Sequence, residues 1–551
     1  MNTDGRRFFK RCLGPEKTAK NILSSSVLIC VYLWLIFHSS CATKPTDMRT
    51  LVPAETLVYL ETNDLAAALQ PIVDAKPFME VAKTKPDFSA LKGVQLAVAV
   101  TGFETSEEKL TDEHSVGRVQ PRFVAVAETH AWNYQAVAFA EKKLGSFVAN
   151  IYDSEPTLEK TDKHGGKYFT WTATANAGGG RRAYALVIDS IIYFGNDETS
   201  IEKCLAVKRG ETDSILKTGK IPVASPEVLA SGYVSTDGIA QIAALVGLKF
   251  ASEAVDESEV QSAIAGIMPR LIRGTVTDVS WTMTRGEQGI EDNYAIRMPA
   301  EIANVFNETI VFGYGNDEVL NQLPADSTQI TVYHIKQPSV AWDSLLMTAR
   351  KVTDPVAGKV IAEFSNMFFE PYGIRTPSTF LGSVGYTIVT TRLGDGDDQV
   401  AVIATVDSKA GVEASFLETL IPDKKPFGSA NLERWSDLEN DMAAVFVGQW
   451  VVLGDSQSVT KCNEEKPDGG FLATAHGKAL SSSRASIKTF GRDPTTTRLL
   501  VSMLAREGHG DTQELSTYIT ETRFTKTGID RRTNSDFGLI GSIIAQLGGD
   551  E

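Results

Sequence analysis

Two stretches of this chain nearly repeat each other, and no other feature restricts its fold as strongly. Ile192-Tyr193-Phe194-Gly195-Asn196-Asp197-Glu198-Thr199-Ser200-Ile201-Glu202-Lys203-Cys204 returns downstream as Val451-Val452-Leu453-Gly454-Asp455-Ser456-Gln457-Ser458-Val459-Thr460-Lys461-Cys462. Each reads as a short apolar strand, a glycine-led turn, an acidic or hydroxyl residue able to cap a helix, and a helix bearing Lys-Cys. A chain of 551 residues is too long for one core. The doubled unit divides it into two lobes, 50–310 and 320–551, behind an N-terminal segment 1–42.

Other landmarks keep the same order in both copies. Pro53-Ala54-Glu55-Thr56 leads into a strand and a helix capped at Asn63 or Asp64, and Pro324-Ala325-Asp326-Ser327 does the same 271 residues later. The strands 94–100 and 122–127, joined by a polar charged loop, match 386–390 and 400–404, joined by Gly394-Asp395-Gly396-Asp397-Asp398. Amphipathic helices follow at 134–144 and 411–420. The first copy adds strands 167–172 and 183–188, and then helices 239–246 and 260–271. Both copies close on a hairpin, turning at Gly289 and Gly528, with a helix after it, from Pro299 in the first and over 537–547 in the second. Hairpin-linked strands interrupted by helices predict an α+β fold: two homologous lobes, each a mainly antiparallel sheet with helices packed on it. Each copy is then expected to bury its own apolar face, leaving a cleft between the lobes.

The leader carries Arg6, Arg7, Lys10, Arg11, Lys17 and Lys20 ahead of an apolar run over 27–37, the form of an export signal. Three outcomes stay open: cleavage before Thr43, lipidation at Cys41 after Ser39-Ser40, or retention as an uncleaved anchor. The Arg6-Arg7 pair also has the form of a twin-arginine signal, although a plain basic leader explains it more simply. The protein is accordingly expected outside the cytoplasm, in a bacterial periplasm or tethered to the membrane. The formal net charge of −15 argues against nucleic acid as a partner.

The Pro-Ala-Glu/Asp-Thr/Ser opening after an export leader, the repeated strand-helix units and the closing hairpin at Gly528-Ile529-Asp530 resemble exported or membrane-tethered bacterial proteins of a domain-of-unknown-function family. The resemblance implies the compartment and the duplicated α+β unit. It carries no activity and no catalytic residues.

Chemistry is sparse. The seven histidines show no zinc-ligand spacing, and no nucleophile elbow, Walker loop or dinucleotide fingerprint stands in a supporting context, so no metal or cofactor is expected. The acidic turn at Gly394 lacks calcium-loop ligands, and Gly178-Gly179-Gly180-Arg181-Arg182 lacks a phosphate loop's ending. The one acid/base candidate is Glu128 with His130, two apart on a strand and hence on one face, next to Trp132; a polar strand end is the commoner meaning of such a pair. Its places in the second copy hold Ala404 and Val406. Tyr168, Phe169 and Trp171 read as core before they read as a ligand groove. Of the five cysteines, Cys204 and Cys462 occupy matching helices as small buried apolar residues, pairing only if those helices face each other. The expected function is a non-enzymatic binding or interaction protein of the cell envelope. Its site lies between or on the lobes, and its partner is an envelope protein, a lipid or a small ligand. An envelope hydrolase with fold-assembled residues and a structural component of an envelope assembly are the alternatives.

Overall fold

Backbone crowding dictates the glycine of the repeated motif in both places. In the computed structural model, a Cβ on Gly195 would stand 2.3 Å from the carbonyl oxygen of Phe123, and one on Gly454 would stand 2.1 Å from that of Val400. Neighbouring strands therefore approach too closely there for any side chain. The helix that follows is capped alike: Asp197 accepts from the Ser200 amide and Asp455 from the Ser458 amide. The first copy has one more residue between glycine and cap, Asn196. Its side chain accepts from the Phe123 amide and donates to the Pro121 carbonyl, which ties the longer turn down.

The structure describes residues 45–547 except 110–114, 153, 174–180, 222–224, 255–257, 288, 312–314, 316, 354, 395–398, 425–426, 429–431, 467–468, 494 and 506–515. The leader with Cys41, the glycine triplet and most of the acidic turn lie outside the described residues.

The first half supplies strands β1 (Val58–Thr62), β2 (Gln95–Lys109), β3 (Ser115–Glu128), β4 (Thr157–Lys163), β5 (Gly166–Thr172), β6 (Arg182–Ile188), β7 (Ile191–Gly195), β8 (Val228–Ser235), β9 (Asp278–Gly286) and β10 (Gly289–Arg297). The second supplies β11 (Gln329–His334), β12 (Val384–Arg392), β13 (Val400–Val406), β14 (Ile421–Pro422), β15 (Arg434–Asp437), β16 (Met442–Val447), β17 (Trp450–Asp455), β18 (Ile487–Asp493), β19 (Ser516–Thr525) and β20 (Gly528–Ser535). All twenty join one antiparallel sheet, whose halves meet where β10 pairs with β20. Outward from that seam the order is β10-β9-β8-β1-β2-β3-β7-β6-β5-β4 on one side. On the other it is β20-β19-β18-β11-β12-β13-β17-β16-β15-β14. The fold is α+β.

Away from the seam both faces of the sheet are covered, which is why these strands read as unbroken apolar runs. In β2 and β3, Leu96, Phe123, Ala125 and Ala127 enter one core, and Ala97, Ala99, Val124 and Val126 enter another on the opposite face. In the second half Ile388, Val402 and Ala404 face one core and Val389, Ala401 and Ile403 the other.

The halves do not each bury their own apolar face. Leu500, Val501, Phe537 and Ile544 of the second half belong to the same core as Leu65, Ile72 and Phe78 of the first. The final helix, Gly538–Leu547, packs on helix Leu65–Asp74, and Thr496–Leu504 packs on Lys76–Val81. In return Ala300–Ile310 packs on Pro338–Val352 and on β19. Each half thus ends in a helix laid on the other, and the seam carries a hydrogen-bonded strand pair where a cleft was expected.

Two further expectations change. The described part of the polar region between 101 and 121 is strand and not loop, because β2 runs on to Lys109 and β3 starts at Ser115. The helix expected over 411–420 stops at Ala414, since Phe416 bridges back to Ile374. In the first half the predicted helix continues, with Asn133–Phe139 and Gly145–Tyr152 joined by a π turn.

Candidate functional site

Directly opposed residues of an antiparallel pair point to the same face, so the registers can be followed sideways across the seam. Glu61 of β1 lies opposite Ser231 of β8, Ser231 opposite Thr282 of β9, and Thr282 opposite Asn293 of β10. Asn293 lies opposite Arg532 of β20, Arg532 opposite Glu521 of β19, and Glu521 opposite Lys488 of β18. One polar side chain per strand therefore runs straight across seven strands, a row of roughly 29 Å at about 4.8 Å per strand.

The row is open in the middle and sealed at its ends. Arg532 keeps 51% of its side chain exposed. Its Nε donates to Glu291 Oε2 at 2.8 Å, and Asn293 donates to the other oxygen of Glu291 at 2.9 Å. An ion pair thus spans the two halves. A guanidinium carries five N–H donors, so Arg532 retains donors beyond this contact. Arg523 pairs with Glu521 at 3.0 Å on the same face.

At one end Glu61 is buried and accepts from Tyr59 at 2.8 Å and from Ser231 at 3.0 Å. Burial raises its pKa above the ordinary carboxylate value, against the hydrogen bonds from Tyr59 and Ser231. At the other end Lys488 is 1% exposed, and its ammonium donates to Asp317 at 2.8 Å. His334 Nε2 lies 3.0 Å from the second Asp317 oxygen, Ser481 donates to Asp317 at 3.3 Å, and His334 Nδ1 contacts Thr387 at 3.3 Å. Burial would raise the Asp317 pKa, but the hydrogen bonds from His334 and Lys488 more than reverse this and leave it lowered. The hydroxyl beside His334, that of Thr387, is fully buried, and with three partners around Asp317 the cluster ties the turn Asp317–Gln322 to the sheet. Sequence reasoning saw His334 only as one scattered histidine, because its partners lie 17 and 53 positions away.

The acid/base candidate sits elsewhere, at the outer end of β3. That strand stops at Glu128, and His130 takes a left-handed backbone at φ 51°. The two residues are brought together by a turn and not by a shared strand face. The His130 amide donates to Glu128 Oε1 at 2.9 Å, and the ring Nδ1 stands 3.7 Å from the same oxygen. Glu128 is buried and Trp132 is exposed. Phe169 and Trp171 stack at 5.7 Å inside the core. Cys204 and Cys462 are free, buried in separate cores, and burial pushes each thiol up to about 12.

Among the described residues no group of acidic, histidine or cysteine side chains has the arrangement of a metal site, and no helix is long and apolar enough to cross a membrane. No protein-family model, curated protein or solved structure matches this chain.

Proposed function

We propose that this chain is an exported protein of the bacterial cell envelope, made by duplication of a ten-strand unit. On this reading it works as a non-enzymatic binding protein whose docking surface for an envelope protein is the polar face of its seam. Duplication is supported by the matched strand order. It is also supported by the seam register, whose central pair, Asn293 and Arg532, is separated by 239 residues, the same offset as Gly289 and Gly528. Export rests on the leader. The docking surface rests on one observation above all, the in-register polar row with a half-exposed arginine at its centre. Arginine amid short polar side chains presents directed hydrogen bonds at little conformational cost to a partner.

The test is photo-crosslinking in the native host, with p-benzoylphenylalanine placed at Thr282, at Glu521 and, as a control on an outer helix, at Lys208. A discrete adduct from the two seam positions and none from Lys208 is the expected result. No adduct at the seam, or the same adducts at all three, removes the docking surface. Intact mass of the mature protein tests the compartment: a chain starting at Thr43, an acylated Cys41 and a full-length chain differ in mass.

A further inference from the structure

The packing of the last helix on the first half leaves a cavity of about 70 Å³. Its floor is Leu60, Leu69, Val98 and Trp281, and its roof is Ile540, Ile543 and Ile544 of helix Gly538–Leu547, three apolar side chains at helical spacing on one face. We propose that this cavity seats the end of a single saturated alkyl chain, with the terminal helix as its lid.

Three observations carry the assignment. First, the polar groups nearest the cavity are already engaged: Glu61 accepts from Tyr59 and Ser231, and the Trp281 indole donates to Asp292 at 2.8 Å. The Thr62 hydroxyl likewise donates to the Leu229 carbonyl at 2.7 Å. A buried water needs two or more polar partners, so a cavity walled mainly by Leu, Val, Ile and Ala favours an apolar occupant. Second, the volume is about half that of the ~150 Å³ cavity known to take up benzene. It admits the last two or three carbons of a narrow chain and excludes an aromatic ring. Third, the roof can move without breaking the sheet. The helix begins where the Leu539 amide donates to Asp292 at 2.8 Å, and it is an α-helix that carries no strand pairing. Lifting its far end widens the cavity while the Asp292 end serves as hinge.

The probe is 8-bromooctanoate, because bromine quenches an indole it touches. Added to the full-length protein it should quench saturably by one indole's share among the seven tryptophans, and this component should vanish in Trp281→Phe. Ala68→Leu, which fills the cavity from its wall, should abolish it while Trp281 remains. Competition by octanoate or by dihexanoyl phosphatidylcholine tells a free fatty acid from a lipid tail. Bromine located by anomalous diffraction from crystals grown of the unmutated protein gives a reading independent of any variant's folding. Quenching that does not saturate, that survives Ala68→Leu, that neither competitor displaces, or bromine found elsewhere overturns the proposal.

Discussion

The two ends of the polar row lie on β1 and β18, whose counterparts in the other half are β11 and β8, and each end holds a carboxylate, in opposite ways. At the first, a lone carboxylate, Glu61, is held by neutral hydroxyls, and burial raises its pKa. At the second, Asp317 reaches the row from a turn and is held by Lys488 and His334, which lower its pKa. Neutral donors only partly offset the loss of water around a buried charge, whereas a basic partner more than offsets it. The register says why the halves differ: the position facing β1 is Ser231, and the position facing β11 is Lys488.

The largest test of this contrast is Lys488→Met. It should destabilise the protein by about 3–5 kcal/mol in urea unfolding, because Asp317 keeps its charge and loses its ammonium. Adding Asp317→Leu should recover most of that loss, since an apolar pair of similar volume replaces the ion pair. A double variant as unstable as the single one would show that the pair is not the unit.

Next comes Asp292→Ala, at a further buried carboxylate on the first-half side. Asp292 is 1% exposed, burial raises its pKa to about 6, and it accepts from the Trp281 indole and the Leu539 amide. Leaving both donors unpaired should cost about 2 kcal/mol. Amide exchange in Gly538–Leu547 should accelerate before any other helix. The reciprocal helix Ala300–Ile310 has no side-chain cap at Pro299 and is held instead by Phe306 against Phe524, with centroids 6.0 Å apart. Its exchange should be unaffected.

The pH dependence separates the two ends by sign. Glu61 has a raised folded-state pKa, so its contribution to stability is fully present below the unfolded value near 4.5 and is lost as pH rises through the folded value. Asp317 has a lowered one, so its contribution is present above the unfolded value near 3.8 and is lost as pH falls. Glu61→Gln should therefore flatten the stability profile above about pH 4.5, with a change within about 1 kcal/mol at neutral pH. Asp317→Asn should flatten it on the acid side. Chemical unfolding at several pH values reads both, and profiles flattened on the same side would refute the contrast.

The smallest effect expected is at the cysteines. Both are buried and free, so a maleimide should label neither in the native protein and both after unfolding. Replacing either by serine should cost about 1 kcal/mol through an added buried hydroxyl.

The matching cysteines, the caps and the crowded glycines were legible in the chain, because each is a local requirement of a strand turning into a helix. Strands such as β4, β8, β16 and β18 were not. The exposed edge strand β4 carries Glu159, Lys160, Asp162 and Lys163, which hide its periodicity. The polar row was equally invisible, since its seven members are spread from position 61 to position 532 and only strand register aligns them.

From its own order of residues this chain settled that it is α+β, where its repeated motif must turn, and which small residues must be buried there. These follow from backbone sterics and from the pairing of amides and carboxylates a few positions apart. Only the tertiary structure decided that β10 joins β20, that each half's last helix crosses to the other, and that Lys488 meets Asp317. The seam pairs, the terminal helix on Leu65–Asp74, and Lys488 with Asp317 all join residues at least 171 positions apart. An apolar helix face records that it must be covered; it does not record by which of two similar surfaces.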